Sequence, residues 1–108
     1  MSRATDPSYF LIVFDELSEK ISSKSIRAGV IGLGYVGLPL AVEFAKTGVA
    51  VVGFDVDREK IDSILRGESY ISDVDSEAVS RVVSDGTLVA TTDFSQLAAV
   101  DTINICVS

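Results

Sequence analysis

The chain has 108 residues, 47% apolar and 23% charged, with sixteen acids against nine bases for a net charge of −7. That length suits one compact domain with its own core, and so acidic a balance argues against a nucleic-acid or anionic-membrane surface, which needs a basic patch. There is no histidine, one cysteine (Cys106) and no apolar run near the ~20 residues of a membrane-spanning helix, which leaves no histidine base or ligand and no internal disulfide, and suits a reducing, cytoplasmic setting.

Residues 1–7 are polar and end at Pro7, which predicts a frayed terminus. Over 8–23 the apolar positions Phe10, Val13, Phe14, Leu17 and Ile21 recur at steps of three and four, the pattern of an amphipathic helix. It lies either on the domain's own core or against another domain or subunit. With a short linker at 22–25 it makes an N-terminal unit, 1–25, ahead of a domain spanning 26–108. Residues 26–31 are apolar nearly throughout, as a strand covered on both faces should be. A helix is expected over 35–47, closed by Gly48, and a second buried strand over 50–54. Asp57 caps a helix over 58–66 that Gly67 ends. After a loop at 68–75 come a short helix over 76–83 and a strand over 88–91. Asp93 and Gln96 fit a capping box opening a short helix to Ala99, and a fourth strand covers 102–107. Such alternation means parallel strands joined by right-handed crossovers. The expected fold is therefore α/β: a Rossmann-type parallel sheet of four strands with helices on both faces. A sheet of this kind wants a further crossover, so the chain reads as cut short at Ser108.

The stretch "GVIGLGYVGLPLAVEF" spends Gly32, Gly34 and Gly37 inside an apolar run and sets Pro39 where a helix begins. Spaced glycines alone are weak evidence; these follow a strand, open a helix and have an acid ending the next strand. Gly32 then permits the tight turn, Gly34 lets main chain approach a pyrophosphate, and Gly37 lets the helix sit close to the strand. The unpaired N–H groups and the positive end of the helix dipole hold the phosphates. Pro39 costs little, because first-turn N–H groups have no helical acceptor. A helix from Gly37 to Thr47 runs back about 16 Å and a strand from Ala50 to Asp55 returns about 18 Å. Asp55 should thus end level with the glycine loop, where its carboxylate can take both ribose hydroxyls and repel a 2′-phosphate, favouring NAD over NADP. Arg58 or Lys60 either softens that repulsion or lies on a solvated helix face. Cys106 reads as a small buried strand residue with no base beside it.

"GVIGLGYVGLPLAVEFAKTG", "VVGFDVDREKID", "GESYI" and "INICVS" together resemble the UDP-glucose/GDP-mannose dehydrogenase family. The string "GLGYVGLP" is far more specific than the glycine spacing, and "SYI" and the leading helix point to the UDP-N-acetyl-sugar 6-dehydrogenase branch. The resemblance implies an NAD-binding domain followed by a nucleotide-sugar domain. It implies oxidation of the C6 alcohol of a UDP-sugar to a carboxylate in two NAD-dependent steps, for polysaccharide precursors. It places Gly32, Leu33, Gly34, Tyr35, Val36 and Gly37 on the cofactor, Asp55 on the adenosine ribose and Lys60 near that ribose or its phosphate. Ser108 falls where the strand-four loop meets the cofactor. Family members pair subunits, so a homo-oligomer is implied for the full-length protein. The family's catalytic cysteine, its lysine and asparagine or aspartate helpers and its sugar-binding residues have no counterpart among these residues. The fragment is accordingly expected to bind dinucleotide without turnover, and no metal is implied. Two other readings stay open: a short non-catalytic NAD-binding or regulatory module, and another dehydrogenase such as a 6-phosphogluconate or hydroxyacid type.

Overall fold

A computed structural model describes residues 26–106. The polar tail, the amphipathic stretch at 8–23, the linker at 22–25, the last residue of the expected fourth strand (Val107) and Ser108 lie outside the described residues. Four strands, β1 (Arg27–Ile31), β2 (Ala50–Phe54), β3 (Leu88–Thr91) and β4 (Thr102–Ile105), form one sheet in the order β3-β2-β1-β4. All three pairings are parallel, with Val30 opposite Gly53 and Asn104, and Gly53 opposite Ala90. Three α-helices connect them: α1 (Gly37–Lys46), α2 (Arg58–Leu65) and α3 (Ser76–Ser84), with a 3₁₀ helix (Phe94–Ala99) before β4.

The core follows from strand parity. Ala28, Val30, Val51, Leu88 and Ala90 share one face and pack with Leu40, Ala41 and Phe44 of α1, Ile61 and Ile64 of α2 and Val79 and Val82 of α3. Each large side chain so buried contributes roughly 1.5–3 kcal/mol. The opposite parity puts Val52 and Phe54 on the other face, where Phe54 meets Phe94 of the 3₁₀ helix with ring centroids 5.5 Å apart. Helical segments thus lie on both faces, as the alternation predicted, although the second face is thinly covered. Val89, Ile103 and Ile105 are 45%, 50% and 67% exposed there.

β2 and β3 fall on the expected residues, and α1 begins two residues later than the apolar pattern suggests. The delay is the glycine turn itself. The ladder is entered by Leu38 N–H donating to the Gly34 carbonyl and Leu40 N–H to that of Val36. Pro39 sits between them and forfeits only one first-turn donor. Asp57 caps α2 as expected, accepting from Glu59 N–H at 3.0 Å. Asp93 caps the 3₁₀ helix through the N–H and hydroxyl of Ser95.

Candidate functional site

The C-terminal ends of β1, β2 and β4 meet at one corner. Gly32 leaves β1 with φ +90° and donates its N–H to the Phe54 carbonyl at 2.8 Å. A Cβ on Gly32 would lie 2.2 Å from the Cys106 carbonyl oxygen, and one on Gly37 would lie 1.5 Å from the Gly32 carbonyl oxygen. Neither position has room for any side chain, because in both cases the obstacle is backbone. These two glycines therefore bring the start of α1 against the strand ends.

Between them the loop exposes main chain. The N–H groups of Gly34, Tyr35 and Val36 have no acceptor among the described residues. Val36 occupies the N-cap position without a side-chain cap, and the first turn of α1 holds no acid. α2 and α3 carry Glu59 and Glu77 in their first turns. An apolar, uncapped helix start leaves unpaired donors and a positive dipole end, a ready seat for an anion. Tyr35 is 71% exposed, so its side chain does not fill the corner.

Asp55 follows β2 directly and is brought to this loop. Its Oδ2 accepts from Leu33 N–H at 2.8 Å and its Oδ1 from Asp57 N–H at 2.9 Å. The opposed lengths of α1 and β2 had put the carboxylate level with the glycines, and the bond to Leu33 realises that placement. Lys60 reaches the same Oδ2 at 4.0 Å from α2. Arg58 instead pairs with Asp62 of its own helix at 3.3 Å and leans on Thr92. Leu33 is wholly buried, its side chain against Gly53. Its N–H is taken by Asp55, so its part in the loop is to hold the turn rather than to offer a donor.

Sequence reasoning missed one residue of this corner. Tyr70, in the connection between α2 and α3, donates its hydroxyl to the Leu33 carbonyl at 2.6 Å. Burial, followed by the negative charges of Asp55 and Asp57, pushes its phenol well above the usual range, so the O–H remains a donor. The "SYI" string marked the position only as a family feature; nothing local in it signals a bond across the fold. Along α2 a shallow cleft runs between Lys60, Ser63, Arg66 and Tyr70. Burial also raises the Cys106 thiol, which disfavours its thiolate form. Among the described residues no group of histidine, cysteine or carboxylate side chains converges to hold a metal, and no helix is long and apolar enough to cross a membrane.

A parallel sheet whose first strand turns through a glycine corner into an uncapped helix, with an acid from the next strand beside it, defines a dinucleotide-binding domain of the Rossmann type. A diphosphate fits the unpaired amides, and the space that a Cβ would take at Gly32 and Gly37 is filled by backbone, which keeps the corner close. Residues 26–108 match the UDP-glucose/GDP-mannose dehydrogenase family, NAD binding domain, and the chain belongs to that family. It is 37% identical over 83 residues to a UDP-N-acetyl-D-mannosamine dehydrogenase of Pyrococcus horikoshii, covering 76% of this chain and 20% of that one. To a UDP-N-acetyl-D-glucosamine 6-dehydrogenase of Pseudomonas aeruginosa it is 47% identical over 53 residues, 49% of this chain and 12% of that one. The solved UDP-glucose dehydrogenase of Pyrobaculum islandicum superposes with a TM-score of 0.72 at 35% identity, covering 79% of this chain and 20% of that one. The chain thus spans about a fifth or less of the length of these relatives.

Proposed function

We propose that this chain is the NAD-binding portion of a nucleotide-sugar 6-dehydrogenase that acts on a UDP-N-acetyl sugar. The observation that carries the reading is the pairing of three unpaired loop amides, at Gly34, Tyr35 and Val36, with the Asp55 carboxylate held 2.8 Å from Leu33 N–H. The amides of Gly34, Tyr35 and Val36 hold the diphosphate, Asp55 takes the adenosine ribose hydroxyls, and Lys60 neutralises part of that site. Ser108, which lies outside the described residues, is carried over from the family resemblance as a further cofactor contact. Bound NAD supplies the hydride acceptor. The overall conversion consumes the C6 alcohol, two NAD⁺ and one water, and releases the carboxylate, two NADH and three protons. The names of the relatives from P. horikoshii and P. aeruginosa support the N-acetyl sugar.

This stretch of chain binds cofactor without performing that oxidation. Its one cysteine has its thiol raised by burial, and a nucleophile must come from elsewhere in a longer protein, as must the sugar-binding residues. The full-length enzyme works in the cytoplasm as a homo-oligomer. Calorimetric titration of the chain tests the cofactor assignment. NAD should bind saturably and at least about tenfold more tightly than NADP, since a 2′-phosphate would face the Asp55 carboxylate. Asp55→Ala should weaken NAD about tenfold or more and erase that preference. Folded protein that shows no saturable NAD binding would overturn the assignment. Turnover of UDP-N-acetylglucosamine, UDP-N-acetylmannosamine and UDP-glucose by the full-length enzyme identifies the sugar.

A further inference from the structure

We propose that Tyr70 is a positioning residue for the diphosphate loop, holding the Gly34 N–H toward the ligand by gripping the carbonyl on the other side of the same peptide bond. The inference rests on the cofactor assignment above and adds to it a residue from a distant part of the chain. A peptide unit is planar and trans, so its C=O and N–H point in opposite directions. Fixing the Leu33 carbonyl therefore fixes the Gly34 N–H. The Tyr70 hydroxyl does this at 2.6 Å across 37 residues of sequence. One peptide earlier, Asp55 Oδ2 holds Leu33 N–H at 2.8 Å. Two successive peptide planes are thus pinned from two different elements, and the glycine that follows has no side chain of its own to restrain it. Were the 33–34 peptide to rotate, a carbonyl would face the diphosphate in place of a donor, turning attraction into repulsion. The ring is held in turn by packing against the core, so the hydroxyl does not wander from its acceptor.

Tyr70→Phe keeps the ring and deletes the donor. Titrated with NAD and with ADP-ribose, which both carry a diphosphate, the variant should bind about 3–10-fold more weakly, the range for one lost hydrogen bond. Adenosine, which has no phosphate, should bind as it does to the parent chain. In the ligand-free variant the Gly34 amide resonance should broaden or shift, since its plane is no longer held. A role confined to stability would instead lower the melting temperature and weaken NAD and adenosine together, and would overturn the proposal. So would unchanged NAD affinity with an unchanged Gly34 resonance. If Tyr70→Phe does not fold, 4-aminophenylalanine in place of Tyr70 restores a donor, and it should recover both folding and NAD affinity; recovery of folding without affinity would refute the positioning role. Failure of the cofactor assignment is separable, because a parent chain that binds no NAD still reports through the Gly34 resonance whether Tyr70 orients the peptide.

Discussion

Gly37 shows how little freedom the corner leaves at the level of single residues. An added Cβ would lie 1.5 Å from the Gly32 carbonyl oxygen, whereas at Gly86, with φ +77°, it would meet nothing within 4 Å. Gly37→Ala must push helix from strand and should cost about 3 kcal/mol or more. Gly86→Ala suffers only the left-handed backbone strain, about 1–2 kcal/mol. Urea unfolding of the two variants measures the contrast, and equal losses would contradict the close approach. Tyr70 gives a second expectation. Its phenol is raised by burial and then by Asp55 and Asp57, so the folded state favours the neutral form. Stability from this group is intact below the ordinary tyrosine pKa near 10 and falls as the pH climbs past it, because the unfolded chain ionises first. Melting temperatures taken from pH 9 to 11.5 should decline less steeply in Tyr70→Phe than in the parent chain.

At the scale of elements, the helices divide by how they begin. α2 is capped by the Asp57 side chain, which accepts from Glu59 N–H. Asp57→Ala should cost about 1 kcal/mol, read as a lower urea midpoint with an unchanged slope. α1 gains no such cap from Val36 and draws its stability from its buried side chains, Leu38, Leu40, Val42 and Phe44 among them. That contrast was legible in the sequence: an aspartate stands before α2, while glycine, tyrosine and valine stand before α1. The start of α1 was less legible, because apolar periodicity cannot separate the turn at 34–36 from the helix it feeds. The tight 3₁₀ winding at Phe94–Ala99 was likewise read only as a short helix, since six residues carry too little periodicity to distinguish the two.

Among the described residues, the sheet is covered by helices on one face and largely open on the other. α1, α2 and α3 cover the face built from Val30 and Val51, while Val89, Ile103 and Ile105 stay exposed on the reverse. β4 ends the strand order, so its outer edge is unpaired among the described residues. An apolar face beside an open edge favours association between chains. Sedimentation of this chain by itself should show self-association that rises with concentration, and Ile103→Lys with Ile105→Lys should reduce it. A monomer at every concentration would show that the face is protected.

The amino-acid sequence by itself determined the alternation of strands and helices, the glycine corner and the level at which Asp55 ends, because each follows from local spacing: period, turn chemistry and rise per residue. Only the tertiary structure decided which loop amides stay unpaired and which distant group holds the loop. Asp55 reaches Leu33 across 22 residues and Tyr70 reaches it across 37. Such bonds depend on where the intervening chain returns in space, and that is set by the packing of three helices on one sheet face rather than by any residue's own preference.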